Sequence, residues 1–77
     1  METKVTKVYP NGNMEHSIYS NDLSSKENLI TEIIMQVNHN GNVLDERLRR
    51  LADNMITESG NHYMYEDGQG NVYMTRK

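Results

Sequence analysis

Three histidines, His16, His39 and His62, are the side chains of this sequence that could carry imidazole chemistry. None stands in an H-x-x-x-H pair or another spacing that would hold a transition metal, and there is no cysteine to complete a thiolate site. His16 and His62 would meet only if their strands paired. A small metal-dependent enzyme is therefore conceivable only by convergence of residues distant in sequence, and no metal ligand is assigned.

Nucleophilic catalysis fares no better. A reactive Ser or Thr needs a neighbouring base and an oxyanion site, and no G-x-S-x-G elbow is present. Ser24 and Ser25 read as helix caps, Ser17 as a strand residue and Ser59 as part of a helix exit. The carboxylate pairs Asp45 with Glu46 and Glu66 with Asp67 are adjacent in sequence, so they point apart and make no acid/base dyad. DGQGN at 67–71 has the opening of a calcium loop but lacks its alternating second acid and terminal Glu, which leaves hairpin-turn chemistry. Without a P-loop or a dinucleotide fingerprint, neither a catalytic residue nor a cofactor is expected.

The element whose conformation is plainest is Val43 to Ile56, VLDERLRRLADNMI. Leu44, Leu48, Leu51 and Met55 recur at i, i+4, i+7 and i+11, with Ala52 widening the stripe, so the segment is an amphipathic helix with Glu46, Arg50, Asp53 and Asn54 on its other side. Asn42 is placed to cap it, Asp45 to support its first turn and Gly60 to end it. Asp45 with Arg49, Glu46 with Arg50 and Arg49 with Asp53 are i, i+4 pairs of a few tenths of a kcal/mol each.

Residues 3–9, rich in Val, Thr and Tyr, read as a strand, Pro10 to Asn13 as a turn, and Met14 to Tyr19 as the returning strand. Ser24 and Glu27 form an S-x-x-E capping box at the head of residues 25–38. That segment suits a helix, with Leu29, Ile30, Ile33, Ile34 and Val37 on one arc, but also a strand with Leu29, Thr31, Ile33, Met35 and Val37 on one face. The capping box and the length of the run favour the helix. Gly41 would supply its left-handed C-cap, and the short connection makes the two helices antiparallel. Asn61 to Glu66 and Asn71 to Arg76 form a second hairpin. The expected fold is α+β, in the order β-β-α-α-β-β, an antiparallel sheet of two hairpins with a helical pair packed on one face. A Gly-Asn pattern recurs at 12, 41 and 70, an equal spacing of 29. The flanking residues share nothing and the three sites belong to different turn contexts, so no repeat is inferred.

With 77 residues and no internal boundary, one small domain spanning 1–77 is expected, and at 35% hydrophobic residues its core is thin enough to favour a homodimer that shares burial. The absence of cysteine, of a long apolar run and of a leader pattern points to an unprocessed cytoplasmic protein that does not enter a membrane. A net charge of −3 is too mild to mark nucleic-acid binding or its acidic mimicry. Residues 21–60 carry seven acids against four bases, whereas the flanks carry four of each.

The strand residues leave room for two binding roles. Tyr is enriched at protein interfaces, and Tyr63, Tyr65 and Tyr73 would share one face of the last hairpin, with Met35 a further contact on the polar side of its helix. This favours a non-catalytic interaction protein that binds and modulates, or inhibits, another protein, as compact regulators encoded by phages and other mobile elements do. The alternative is a nucleic-acid-binding transcriptional regulator that uses a basic, Tyr-bearing sheet face with Lys4, Lys7, Arg76 and Lys77. A helix-turn-helix over residues 33–53 fails, because Arg47 and Arg50 would occupy positions that should pack inward.

Overall fold

The computed structural model describes residues 1–38 and 40–77; His39 lies outside the described residues. The order is β1 (Glu2–Val8), β2 (Met14–Ser20), α1 (Ser25–Val37), α2 (Glu46–Met55), β3 (Thr57–Ser59), β4 (His62–Glu66) and β5 (Val72–Arg76). The five strands form one antiparallel sheet in the order β2-β1-β5-β4-β3. This is the α+β arrangement expected from the sequence, with one strand more. The first and last strands pair at the centre, Val5 opposite Thr75 and Lys7 opposite Tyr73.

The two long hairpins are closed by the same device. Tyr9 N–H donates to Asn13 O at 2.8 Å and Gly12 N–H to Tyr9 O at 2.9 Å; Asp67 N–H donates to Asn71 O and Gly70 N–H to Asp67 O. Gly12 and Gly70 stand at φ 90° and 86°, the left-handed residue that a three-residue hairpin loop requires. Two of the three Gly-Asn sites thus share a turn type, contrary to the expectation that all three differ, because the turn's geometry is fixed by its glycine and is indifferent to the strand sequence beyond it. The third site does differ: Gly41 has no positive φ and is not a left-handed cap.

α1 is a helix, which resolves the helix-or-strand ambiguity over residues 25–38. Ser24 caps it by accepting from Glu27 N–H at 3.2 Å. Leu29, Ile30, Ile33 and Ile34 are buried with Val5 of β1 and Tyr73 of β5, forming the core. α2 begins three residues later than expected, because Asp45 is its N-cap, accepting from Arg47 and Leu48 N–H. Asn42 instead closes a turn by accepting from Leu44 N–H. The helix also ends at Met55, and the residues assigned to its exit form β3, which pairs Glu58 with Tyr63 across a two-residue turn at Gly60. Three polar residues give too short an alternation to be read as a strand without their partner.

Asp67 organises the loop between β4 and β5. Its carboxylate accepts from the N–H groups of Gln69 (2.8 Å) and Asn71 (3.0 Å), from Asn71 Nδ2 (2.9 Å) and, at 3.4 Å, from the Tyr73 hydroxyl. Burial works against its charge, but the bonds from Asn71, Gln69 and Tyr73 outweigh it and hold the Asp67 carboxyl below the usual carboxylate range. A folded-state pKa that is depressed gives stabilisation that is present above the unfolded value of about 4 and is lost as pH falls through the folded value. Asp67→Asn is expected to cost about 1 kcal/mol at neutral pH. In thermal melts the gap between parent and variant should close as pH is lowered through the carboxylate range; a gap constant from pH 7 to pH 2 would show that the charge contributes nothing.

Candidate protein-binding surface

The orientation of α2 is set by polar groups. Arg49 is the hub: its Nη1 donates to Val43 O (2.7 Å) and Thr31 Oγ1 (3.0 Å), and its Nη2 to Glu27 O (2.9 Å) and Glu27 Oε2 (2.8 Å). One turn on, Asp53 pairs with Lys26 Nζ at 2.8 Å, a contact that raises the Lys26 pKa above its ordinary value. Lys26 meets Asp53 while Thr31 meets Arg49, so the two helices run antiparallel. Arg49 and Asp53, expected to pair with each other along α2, each bond to α1 instead. With Ala52 buried between them, these residues define the side of α2 that faces α1.

Most of the apolar stripe that identifies the helix lies further round it. Leu51 and Met55 sit about 60–100° round the helix from Ala52 and are 52% and 54% exposed; Leu44, just ahead of the helix, is 78% exposed. Of the stripe, Ala52 is in the core and Leu48 packs partly against it, as Val43 and Ile56 beside the helix do. Magnitudes make this arrangement informative. Full burial of one Leu or Met side chain is worth about 1.5–3 kcal/mol, whereas an exposed ion pair such as Lys26–Asp53 is worth about 0–1 kcal/mol. Three large apolar side chains that stay half or more exposed forgo that stabilisation within the single chain, and exposed apolar groups on one helical element are the kind of feature that proteins use for contact.

The tyrosines do not form that surface. The register that pairs Tyr65 with Tyr73 and Tyr63 with Thr75 does put them on one face, but it is the face beneath the helices. Tyr73 is 1% exposed in the core; Tyr63 and Tyr65 are half-buried against it, with the Tyr65 and Tyr73 ring centroids 5.8 Å apart. Burial, reinforced for Tyr65 by nearby Asp67, raises the pKa of both the Tyr65 and Tyr73 hydroxyls. The expectation that these three rings are a partner-binding surface is therefore corrected for Tyr73 outright, and for Tyr63 and Tyr65 in most of their area. Periodicity identifies which residues share a face; it does not say which face the helices cover. Met35 is half-exposed on α1 and is available for contact.

The four flanking cations are likewise divided. Lys4 lies beside Arg76 on the open side of the sheet, by the register that pairs Val5 with Thr75, and both line an open groove of about 850 Å³ with His62 and Glu2. Lys7 points the other way, to Gln36 Oε1 at 3.3 Å and over the Tyr9 and Tyr73 rings. Lys77 pairs with Glu58 at 2.7 Å. His16 and His62 are kept apart because β1 and β5 lie between their strands. Among the described residues, no three His, Cys, Asp or Glu side chains converge on a metal-sized site.

No known protein family, curated protein or solved structure matches this chain. Its surfaces stand on their own physical chemistry, and Arg49 is the residue on which the stripe's presentation depends. Sequence reading placed Arg49 in a solvated, ion-paired face, and nothing in its spacing distinguished it from Arg47 and Arg50. Arg49→Ala is expected to lower stability by about 2 kcal/mol, because it takes the donor from Val43 O and removes the charge-assisted bonds to Thr31 and Glu27. Arg49→Lys should recover only part of this, since an ammonium cannot span the same acceptors. Urea denaturation checks both; equal midpoints for parent and Ala variant would refute the role.

Proposed function

We propose that this chain is a small, non-catalytic interaction protein that binds another protein and modulates its activity. The observation that carries this reading is the exposed stripe Leu44, Leu51 and Met55, held outward by the Arg49 and Asp53 contacts to α1. A helix that shows apolar residues one turn apart to solvent, Leu51 and Met55 at i and i+4 with Leu44 just ahead of it, suits docking into a groove or against a helix of a partner. Arg47, Arg50 and Asn54 border the stripe as an exposed polar rim, the arrangement usual at the edge of a protein interface.

A cytoplasmic location accords with the lack of cysteine, and among the described residues no helix is long and apolar enough to cross a membrane. The nucleic-acid reading keeps only Lys4 and Arg76 as adjacent free-standing cations, fewer than the phosphate contacts of typical binders, which number about 6–10.

The test is affinity capture from a lysate of the source organism, with and without nuclease, comparing the parent with Leu51→Glu/Met55→Glu. Both positions are half-exposed, so the variant should stay within about 1 kcal/mol of the parent's stability. The expected outcome is one protein recovered near stoichiometry by the parent, indifferent to nuclease and lost by the variant. Its affinity should fall only shallowly with salt. Capture that vanishes with nuclease, or that is equal for both proteins, would overturn the reading.

A further inference from the structure

The sheet has two edges, and they are built differently. β3 is three residues long, polar and exposed, and Glu58 on it is tied to Lys77; such an edge offers little to another strand. β2 is seven residues long, free of Pro and Lys, and paired without interruption along its whole length with β1. Of the usual guards against strand addition, Pro, Lys, a bulge and shortness are absent from β2, and a single charge, Glu15, is present.

Its backbone is also oriented for pairing. Tyr9 N–H donates to Asn13 O at one end of the hairpin and Asn21 N–H to Met1 O at the other. Hydrogen-bonded pairs alternate along an antiparallel ladder, so Glu15, Ser17 and Tyr19 direct their N–H and C=O toward β1. Met14, His16, Ile18 and Ser20 direct theirs away from the sheet. The strand is held in place from behind: Ser17 Oγ and Tyr19 Oη donate to the buried Glu32 carboxylate at 2.7 and 2.6 Å, and Asn21 exchanges side-chain bonds with the buried Asn28. This is a preorganised, lightly guarded edge, whose ordering cost has been met before any partner arrives.

We infer that β2 is the homodimer interface, pairing antiparallel with β2 of a second copy about a two-fold axis at His16. The self-complementarity of the strand selects this occupant and register. With His16 on the axis, Met14 of each copy lies opposite Ile18 of the other, on the open side of the sheet. These two are the strand's largest apolar residues and are 62% and 57% exposed in the single chain. The neighbouring register with the outward groups still in phase opposes Met14 to Ser20 and Ile18 to His16, and leaves the apolar pair unmatched. In the favoured register Glu15 faces Ser17, so the one carboxylate of the strand meets no second carboxylate. The product is a continuous ten-stranded sheet, two copies of the five-stranded one, with both helical layers on the same side and both α2 stripes free.

The dimer and the protein-binding reading use different surfaces and fail separately. Light scattering across micromolar to millimolar concentration is expected to give a mass of two chains for the parent and for Leu51→Glu/Met55→Glu. Ile18→Lys should give one chain with the far-UV spectrum of the parent. His16→Cys places the chain's only thiol on the axis, where a hydrogen-bonded pair has Cα atoms about 5.5 Å apart, within disulfide reach. It should run as a covalent dimer after mild oxidation. A parent of single-chain mass at every concentration, a dimer that survives Ile18→Lys, or a His16→Cys dimer that stays uncross-linked would each overturn the inference.

Discussion

The burial of one side of α1 on β1 and β5 is the contact on which everything else depends. Of the seven fully buried hydrophobic residues, Leu29, Ile30, Ile33 and Ile34 belong to α1, Val5 and Tyr73 to the central strands, and only Ala52 to α2. Ordering each residue's backbone costs about 1–2 kcal/mol, so a core this small leaves little surplus, and each remaining element must attach to the α1 layer by its own means. β5 and β1 do so as neighbours in a ladder. β2, beyond its ladder with β1, and α2 do so largely through polar groups on the two flanks of α1, and those flanks carry the two surfaces proposed above for contact with other chains.

On the β2 flank the polar groups are buried. Removing the Glu32 carboxylate from water costs several kcal/mol, and the bonds it receives from Ser17 and Tyr19, at about 1.5–3 kcal/mol each, roughly offset that cost. Their effect is on register more than on stability. A slip of β2 by one residue would turn Ser17 and Tyr19 to the open face and leave Glu32 unpartnered in the interior. Burial, and then the bond and charge of Glu32, push the Tyr19 ionisation well above its usual range, so the hydroxyl stays a donor throughout ordinary conditions. The strand is therefore fixed in one register by contacts to the helix, with its outer edge left regular.

Much of the fold was legible because it rests on local chemistry. The caps at Ser24 and the glycine-bearing loops at Gly12 and Gly70 act within a few residues, and the α1 stripe is long enough to show its period. The parts that were not legible depend on partners far away in sequence. β3 is Thr-Glu-Ser and exists because Tyr63 and its neighbours pair with it. Arg49 looks like Arg47 and Arg50 until Thr31 and Glu27 are brought beside it. The tyrosines were assigned to the right common face, but the side of the sheet that α1 occupies is decided by Val5 and Lys7 as much as by Tyr73. For the same reason the stripe that identifies the central helix does not reveal that only Leu48 and Ala52 of it meet the core.

The outward stripe bears on what the molecule is for. Rolling α2 about its axis by roughly 100° would bring Leu51 toward α1, and by the transfer values each apolar residue so buried would gain about 1.5–3 kcal/mol. The same roll would pull Arg49 from four acceptors and Asp53 from Lys26, and would leave the Val43 carbonyl without its donor in a partly closed interhelical seam. An unsatisfied buried polar group costs about 1–3 kcal/mol, so the two arrangements are close in free energy and the polar one prevails only because several groups act together. On the protein-binding function proposed above, a partner would gain that apolar burial only by covering Leu44, Leu51 and Met55 without disturbing the clasp behind them, which would make recognition depend on the shape of the partner and not on apolar contact alone.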